Sequence, residues 1–450
     1  MLSALKRLFA IALAMMMSRL TQTLNTFIAM AMIAQLGNTV LAAGLTISAT
    51  RIVVMLIFMS LLFSTGAITG RLVGEKRHDA LPEMLQQGWS IGVLLSIACM
   101  IIMALVGPIL TLLHQPPMII PYVTEFFHAF LWAMPAIMMF VVNQQFLAGN
   151  GKQHWVTLLS VISLVLGAFL NYALIFGHFG CPALGVTGSG LAGTLSCWIG
   201  FGISLAMVLV TLTKTQRSQL KQRITHFQHG KLIIKIGTPI CIQTSSEMLI
   251  LMVFILMVGW LGETAMAAGQ VANEYMLFAI VPIFGIAEAS SICVGKAYGG
   301  KDYASVRSVG TAGIILAWLF TVIVAAIFVI FHRPLAGIFI SFDQPNAELI
   351  YHLALWLLFI RIISMFMDAV TQVLTGSLRG LYDTKFPMKL SMIIGWCIML
   401  PIAAVFGFVF HWGVIGITCA GLINSLIVST TLWWRWQQQC RNCVSSALNT

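Results

Sequence analysis

Charge is what this sequence has least of. Only 8% of its 450 residues are charged, where a soluble domain carries about 25%. Acidic residues number 13, and the four in the first half (Glu75, Asp79, Glu83 and Glu125) all lie outside the depths of apolar runs. No P-loop or other nucleotide motif occurs, and no polar stretch is long enough for a soluble domain to hold one, which argues against ATP-driven transport. Most of the ten histidines, such as His78, His226, His229, His332 and His411, fall in loops without metal-ligand spacing. A metal-dependent membrane enzyme acting on lipid or polyprenyl substrates therefore has no visible centre. The nine cysteines are scattered, most of them inside apolar runs, where thiols behave as small apolar residues. Cys440 and Cys443 form a C-x-x-C without the second pair that a zinc site wants.

What the chain has is length of hydrocarbon. Hydrophobic residues are 59% of it and the mean hydropathy is +0.97. Twelve runs, from 8–35 to 413–435, are long enough to cross a bilayer as helices, which takes roughly 20 apolar residues. They are too long and too continuously apolar for the alternating strands of a barrel. The fold expected is an all-α integral membrane protein with twelve transmembrane helices.

The second half also repeats the first. Leu36-Gly37-Asn38-Thr39-Val40-Leu41-Ala42-Ala43-Gly44 returns as Leu261-Gly262-Glu263-Thr264-Ala265-Met266-Ala267-Ala268-Gly269. Leu184-Gly185-Val186-Thr187-Gly188 returns as Ile415-Gly416-Ile417-Thr418-Cys419, 231 residues later. Two-fold repeats in membrane proteins enclose transport paths at the repeat interface. The division expected is an N-terminal six-helix bundle over 1–213, a basic linker over 214–232, a C-terminal six-helix bundle over 233–436 and a tail over 437–450.

The net charge of +11 is not spread evenly. With twelve spans, 20 of the 24 Lys and Arg residues fall on one side of the membrane, Arg333 falls on the other, and Arg19, Arg51 and Arg361 lie within spans. This positive-inside pattern puts both termini in the cytoplasm of a multi-pass protein of the cell (inner or plasma) membrane. The loop Lys214–Lys235, with six positive charges, suits acidic lipid headgroups. No aromatic platform accompanies it, so no nucleic-acid partner is expected. Lys6-Arg7 before an apolar run resembles a signal peptide, but the run continues to Ala34 and the first repeat needs it as a span. A monomer is expected, with membrane lipids as neighbours.

Three further segments carry a family resemblance: Gly269-Gln270-Val271-Ala272, Val294-Gly295-Lys296-Ala297-Tyr298-Gly299 and Leu378-Arg379-Gly380-Leu381-Tyr382-Asp383-Thr384. Together with Phe179–Gly188 they resemble the multidrug and toxin extrusion (MATE) family, NorM-like branch, over nearly the whole chain. The resemblance implies two pseudo-symmetric six-helix bundles around a cavity, as in the wider MOP group, and export driven by a cation through alternating access. It also implies a cation site in the C-terminal bundle at Glu247, eight residues after Pro239, and Asp368, 15 residues before Asp383. The aspartate that many members carry eight residues before the Leu-Gly glycine is Ala29 here, and an early-helix proline is Ala14, so coupling is expected in the C-terminal half.

Physical chemistry points the same way. An ionisable group within a span costs roughly 2.5–3.5 kcal/mol on insertion scales, so it is a functional candidate by default. Glu247, Glu274, Glu288 and Asp368 all lie within spans, and Arg361 cannot neutralise four acids. Carboxylates are ligands for a hard cation, and a buried one without a cation can carry a proton instead. Glu247, Asp368 and Glu274 are thus the expected cation-coupling residues, with Glu247 and Asp368 a candidate Na+ site; Glu288 sits near a cytoplasmic helix end. Arg19 and Arg51, which cannot discharge by losing a proton, are expected with Gln22, Asn25, Gln270 and Arg361 to line a substrate cavity; the alternative for the two arginines is bonding to backbone carbonyls or a pair with an acid of the C-terminal bundle. The function expected is secondary antiport, coupled to Na+ or H+, of drugs or other amphiphilic organic solutes, without a cofactor and without enzymatic activity. The alternative is a flippase or exporter of lipid-linked or anionic metabolites.

Overall fold

The computed structural model describes residues 2–220, 227–334 and 347–448, and within them the chain is helical throughout its long elements. In the first half these are α1 (Leu2–Ala34), α2 (Asn38–Leu62, resuming as Ser64–Gly74), α3 (Leu81–Ala104), α4 (Ile120–Gly149), α5 (Gln153–Phe176) and α6 (Gly185–Thr211). In the second half they are α7 (Gln228–Gly259), α8 (Glu263–Gly299), α9 (Tyr303–Ile330), α10 (Ala347–Gly380), α11 (Lys385–Val409) and α12 (Gly413–Leu448). Among the described residues, eleven are long and apolar enough to cross a membrane. The remaining one, α1, has the length, but Arg19, Gln22 and Asn25 dilute its apolar content. Part of the expected linker, 221–226, lies outside the described residues, and most of the expected tail continues α12 as helix to Leu448.

Proline accounts for several breaks. Pro135 follows the tight turn at Leu131–Ala133 that divides α4, and Pro401, without an N–H to donate, stands between two widened turns of α11, at Gly395–Met399 and Val405–Val409. Pro239 and Pro282 lie inside α7 and α8.

The chain forms two compact units: Met17–Cys241, and Met1–Met16 with Ile242–Thr450. Their limits fall inside α1 and α7, whereas the bundles expected from sequence meet at 213 and 233. Named contacts show why. In the first unit the early part of α7 packs on α2, where a Cβ at Gly237 would strike the Leu61 carbonyl, and Ser64 Oγ lies 3.3 Å from the Ile233 carbonyl. Gln87 of α3 accepts the Gly230 N–H at 2.6 Å, satisfying a backbone donor in the opening turn of α7. In the second unit the early part of α1 packs on α8, with the Met16 backbone nitrogen 2.6 Å from where a Gly285 Cβ would stand. Each unit therefore contains the opening segment of the other repeat's first helix.

The repeat signatures have a backbone cause. Gly37 and Gly262 enter α2 and α8 at φ +122° and +100°, a region that other residues rarely adopt. The later pair needs re-registering. Gly185 and Gly413 enter α6 and α12 at φ +56° and +59°. Three residues on, Gly188 and Gly416 press against the carbonyls of Leu174 and Phe406 and against the Cβ of Leu184 and Trp412. The structural offset here is thus 228, not the 231 that matching Leu184-Gly185 to Ile415-Gly416 gave. The Leu-Arg-Gly-x-x-Asp-Thr motif is a clamp on α12: Asp383 accepts from Arg435 Nε and Gln439 Nε2, both at 2.8 Å. Cys440 and Cys443 form no disulfide among the described residues and are buried near the end of the same helix, beyond the buried Trp436.

α8 and α10 approach backbone to backbone. A Cβ on Gly376 would collide with the Ala287 carbonyl, and one on Gly380 would come within 2.6 Å of the Ser291 carbonyl. Gly376→Ala is expected to destabilise the protein by about 1–3 kcal/mol through overpacking. Gly202→Ala, whose Cβ meets open space in α6, should be neutral or stabilising by up to about 1 kcal/mol. Thermal unfolding of the two variants in detergent checks the contrast; equal melting temperatures would contradict the helix contact.

Candidate functional site

α10 presents Asp368, Thr371, Gln372 and Thr375 at the i, i+3, i+4, i+7 positions of one helix face. α7 presents Gln243 and Glu247, one turn apart. These six, with Ser391 of α11 and Asn424 and Ser425 of α12, line a cavity of about 210 Å³ within the second unit. Apolar residues close its walls, among them Ile250, Ile280, Met399, Val428 and Leu432.

Inside it, each carboxylate is held by neutral donors. Gln243 Nε2 donates to Glu247 Oε1 at 2.9 Å and Ser391 Oγ donates to the same oxygen at 3.0 Å. Ser425 Oγ donates to Asp368 Oδ1 at 2.6 Å. No ion pair within 4 Å to either acid occurs among the described residues. Arg361, the basic residue nearest Asp368 along α10, instead lies over the Phe254 ring at 5.5 Å from its centre. Two further oxygens face no partner: the buried hydroxyls of Thr371 and Thr375 make no hydrogen bond. Hydrocarbon surroundings make such orphans costly, at about 1–3 kcal/mol each. Two carboxylates and two unsatisfied hydroxyl oxygens in one cavity are a donor set for a hard cation. No group of three His, Cys, Asp or Glu side chains stands together among the described residues, so this is not the thiolate or imidazole environment of a transition metal.

The other expected site residues lie elsewhere. Glu274 accepts from Gln270 Nε2 at 2.9 Å, one turn apart on α8, and neither lines this cavity. Glu288 is buried on α8, also outside it. In the first unit, Asn25 and Arg51 come together at a smaller cavity, while Gln22 is exposed and Arg19 lies over the Phe63 ring at 4.7 Å. Gln243, Thr371, Thr375, Ser391 and Ser425 were not anticipated. Helical spacing from Asp368 and Glu247 would have found the first three; the two serines come from α11 and α12, which no local pattern joins to either acid.

The profile of the MatE family matches residues 14–173 and again 239–409, one copy in each half of the chain and together well over half of it. The chain belongs to the MatE family. It is therefore a multi-pass membrane transporter and not an enzyme, with eleven candidate spans among the described residues. Similar to it among curated MatE relatives is the probable multidrug resistance protein NorM of Brucella suis, 28% identical over 425 residues, spanning 93% of this chain and 90% of the relative. Among solved structures, the fold is similar to that of VcmN, a MATE transporter of Vibrio cholerae, in its bent form (TM-score 0.83, 19% identity, 98% of each chain). It is also similar to a MOP superfamily transporter of Pyrococcus furiosus whose binding pocket has reversed polarity, suggesting a different function (TM-score 0.85, 17% identity, 98% of this chain and 96% of that one).

Replacing Thr371 and Thr375 together by Val deletes two unsatisfied oxygens at nearly constant volume. In cation-free buffer the double variant should melt no lower than the wild type. If the hydroxyls are cation ligands, the stabilisation that NaCl gives the wild type beyond that of choline chloride should shrink or vanish. An unchanged sodium response would remove both hydroxyls from the site.

Proposed function

We propose that this MatE transporter is a cation-coupled secondary antiporter that exports amphiphilic organic solutes, with Glu247 and Asp368 as the coupling residues. The observation that carries this reading is the cavity lined by both carboxylates and by two buried hydroxyls without partners. A cation entering there gains ligands, and its departure leaves groups that only a proton or another cation can satisfy. Binding of this kind gives two states of different stability, which is what alternating access needs in order to exchange ion for solute. One charge moving through 100 mV supplies about 2.3 kcal/mol, enough to drive one solute up a gradient of roughly fiftyfold. The multidrug resistance role carried in the name of the Brucella suis relative supports drugs as one class of cargo.

The direct test is efflux of a cationic dye from proteoliposomes under a sodium gradient and, separately, a proton gradient. The wild type should transport under at least one of them. Glu247→Gln and Asp368→Asn should each reduce that gradient-driven rate by about tenfold or more, the loss of roughly 1.4 kcal/mol or more of coupling. Retention of gradient-driven transport in both variants would dismiss the C-terminal cavity as the coupling site.

We further infer that both termini are cytoplasmic, on the placement of 20 of the 24 basic residues. Green fluorescent protein fused after Thr450 should fluoresce and alkaline phosphatase fused at the same place should be inactive; the reverse pattern would overturn the orientation.

A further inference from the structure

The N-terminal unit has a second polar site, and it has the opposite sign. Arg51 of α2 and Asn25 and Thr26 of α1 meet at a cavity of about 50 Å³. One water needs about 10–15 Å³ of such space, so the cavity has room for a headgroup of a few heavy atoms. A whole drug would not fit.

Arg51 Nη2 donates to Thr26 Oγ1 at 2.8 Å, and the guanidinium carbon stands 5.6 Å from the centre of the Phe130 ring. It has no ion pair among the described residues. A guanidinium has five N–H donors and keeps its charge under all ordinary conditions, so one hydroxyl and one ring leave most of its capacity unused. The Thr26 hydroxyl is itself committed, since it donates back to the Gln22 carbonyl at 3.1 Å.

Two other polar groups lining the cavity are also committed. Ser189 Oγ donates to Asn171 Oδ1, and Asn171 Nδ2 donates to the Gly167 carbonyl, each at 2.8 Å. Asn25 differs. Its side-chain amide is pressed against Gly167, where a Cβ would come within 2.5 Å of it, and its buried Oδ1 has no hydrogen-bond partner. Turning the amide end for end presents its NH2 in place of that oxygen, so the position can offer either a donor or an acceptor. The cavity therefore combines a permanent charge short of partners with an adaptable amide, beside the apolar side chains of Ile33, Ile47 and Phe126.

We propose that this cavity is a recognition site for an anionic headgroup, the carboxylate of an amphiphilic or zwitterionic solute, held by Arg51 and Asn25. The inference deepens the exporter reading, on which it rests: it names a substrate class and gives the two repeats different duties, cation in the second and anion in the first. A carboxylate matches the planar fork of Arg51, and its apolar body would meet the aromatic and aliphatic wall.

The test uses two probes that differ in one group: rhodamine 110, with a free carboxylate, and rhodamine 123, its methyl ester. Binding to the purified full-length protein in neutral detergent is read by fluorescence polarisation. The wild type should bind rhodamine 110 the more tightly. Arg51→Gln should weaken rhodamine 110 by about tenfold or more, as expected for losing a charge-assisted hydrogen bond, while moving rhodamine 123 by less than about twofold. Arg51→Lys should recover part of the loss, because it keeps the charge and loses the fork.

Wild-type protein that binds rhodamine 110 no better than its ester overturns the proposal without recourse to any variant. So does an Arg51→Gln protein that elutes and melts as the wild type does and keeps the preference. A preserved preference in the wild type, lost in Arg51→Gln, with no transport of either dye under either gradient, would sustain the anion site while the exporter reading fails.

Discussion

Removing an ion from water costs several kcal/mol even after a protein relaxes around it, and a hydrocarbon slab offers nothing in exchange. This penalty organises the molecule. Most ionised groups were kept to loops and helix ends, where water meets them. The few that were admitted to the spans had to be housed, and the structure houses them in different ways: Glu247 and Asp368 with hydroxyl and amide donors, Arg19 and Arg361 against aromatic rings, Arg51 with both a hydroxyl and a ring. Among the described residues, Glu247, Asp368, Arg51 and Arg361 make no ion pair within 4 Å. A pair would satisfy both partners and leave no appetite for a ligand. Partial satisfaction is the more useful condition for a transporter, because the missing partner can then be the thing transported.

Much of this was legible in the sequence, and for identifiable reasons. Scarcity of charge betrays the bilayer, since solubility in water demands it. Glu247 and Asp368 stand out because an acid amid apolar residues has no cheap structural excuse. The Leu-Gly repeat at 37 and 262 is visible because a left-handed entry to a helix tolerates little besides glycine. What could not be read is what needs three dimensions. Ser391 and Ser425 reach the acids from helices that pack nearby but carry ordinary sequences. Gln270 and Glu274, polar residues in a span and so natural candidates for the same site, satisfy each other on their own helix. The mismatch between offsets 231 and 228 has a similar source. Letter similarity rewards Leu-Gly-Val-Thr against Ile-Gly-Ile-Thr, whereas backbone geometry rewards the glycine that turns and the glycine that touches a carbonyl.

The two repeats have kept their scaffold and diverged in chemistry. Glycine entries to α2 and α8, and to α6 and α12, are matched, as are the close approaches that follow them. The polar cavities are not. One unit has carboxylates and hydroxyls, the other a guanidinium and an amide. Duplicated frames with unlike contents allow each half to drift toward its own ligand without disturbing the packing that both share.

The exchange of helix segments between repeats has a consequence for how the protein is made. As the chain leaves the ribosome, residues 1–220 emerge first, yet the unit to which residues 17–220 belong lacks its α7 segment until Cys241 has been synthesised. Met15 and Met16 wait longer still, since Gly285 of α8, on which they pack, comes from the second half. The first helix is thus the earliest to be made and among the last to be fully housed. A ribosome halted after the sixth helix would leave behind an unfinished unit rather than half a transporter, and membrane quality control would meet it with α2 still uncovered.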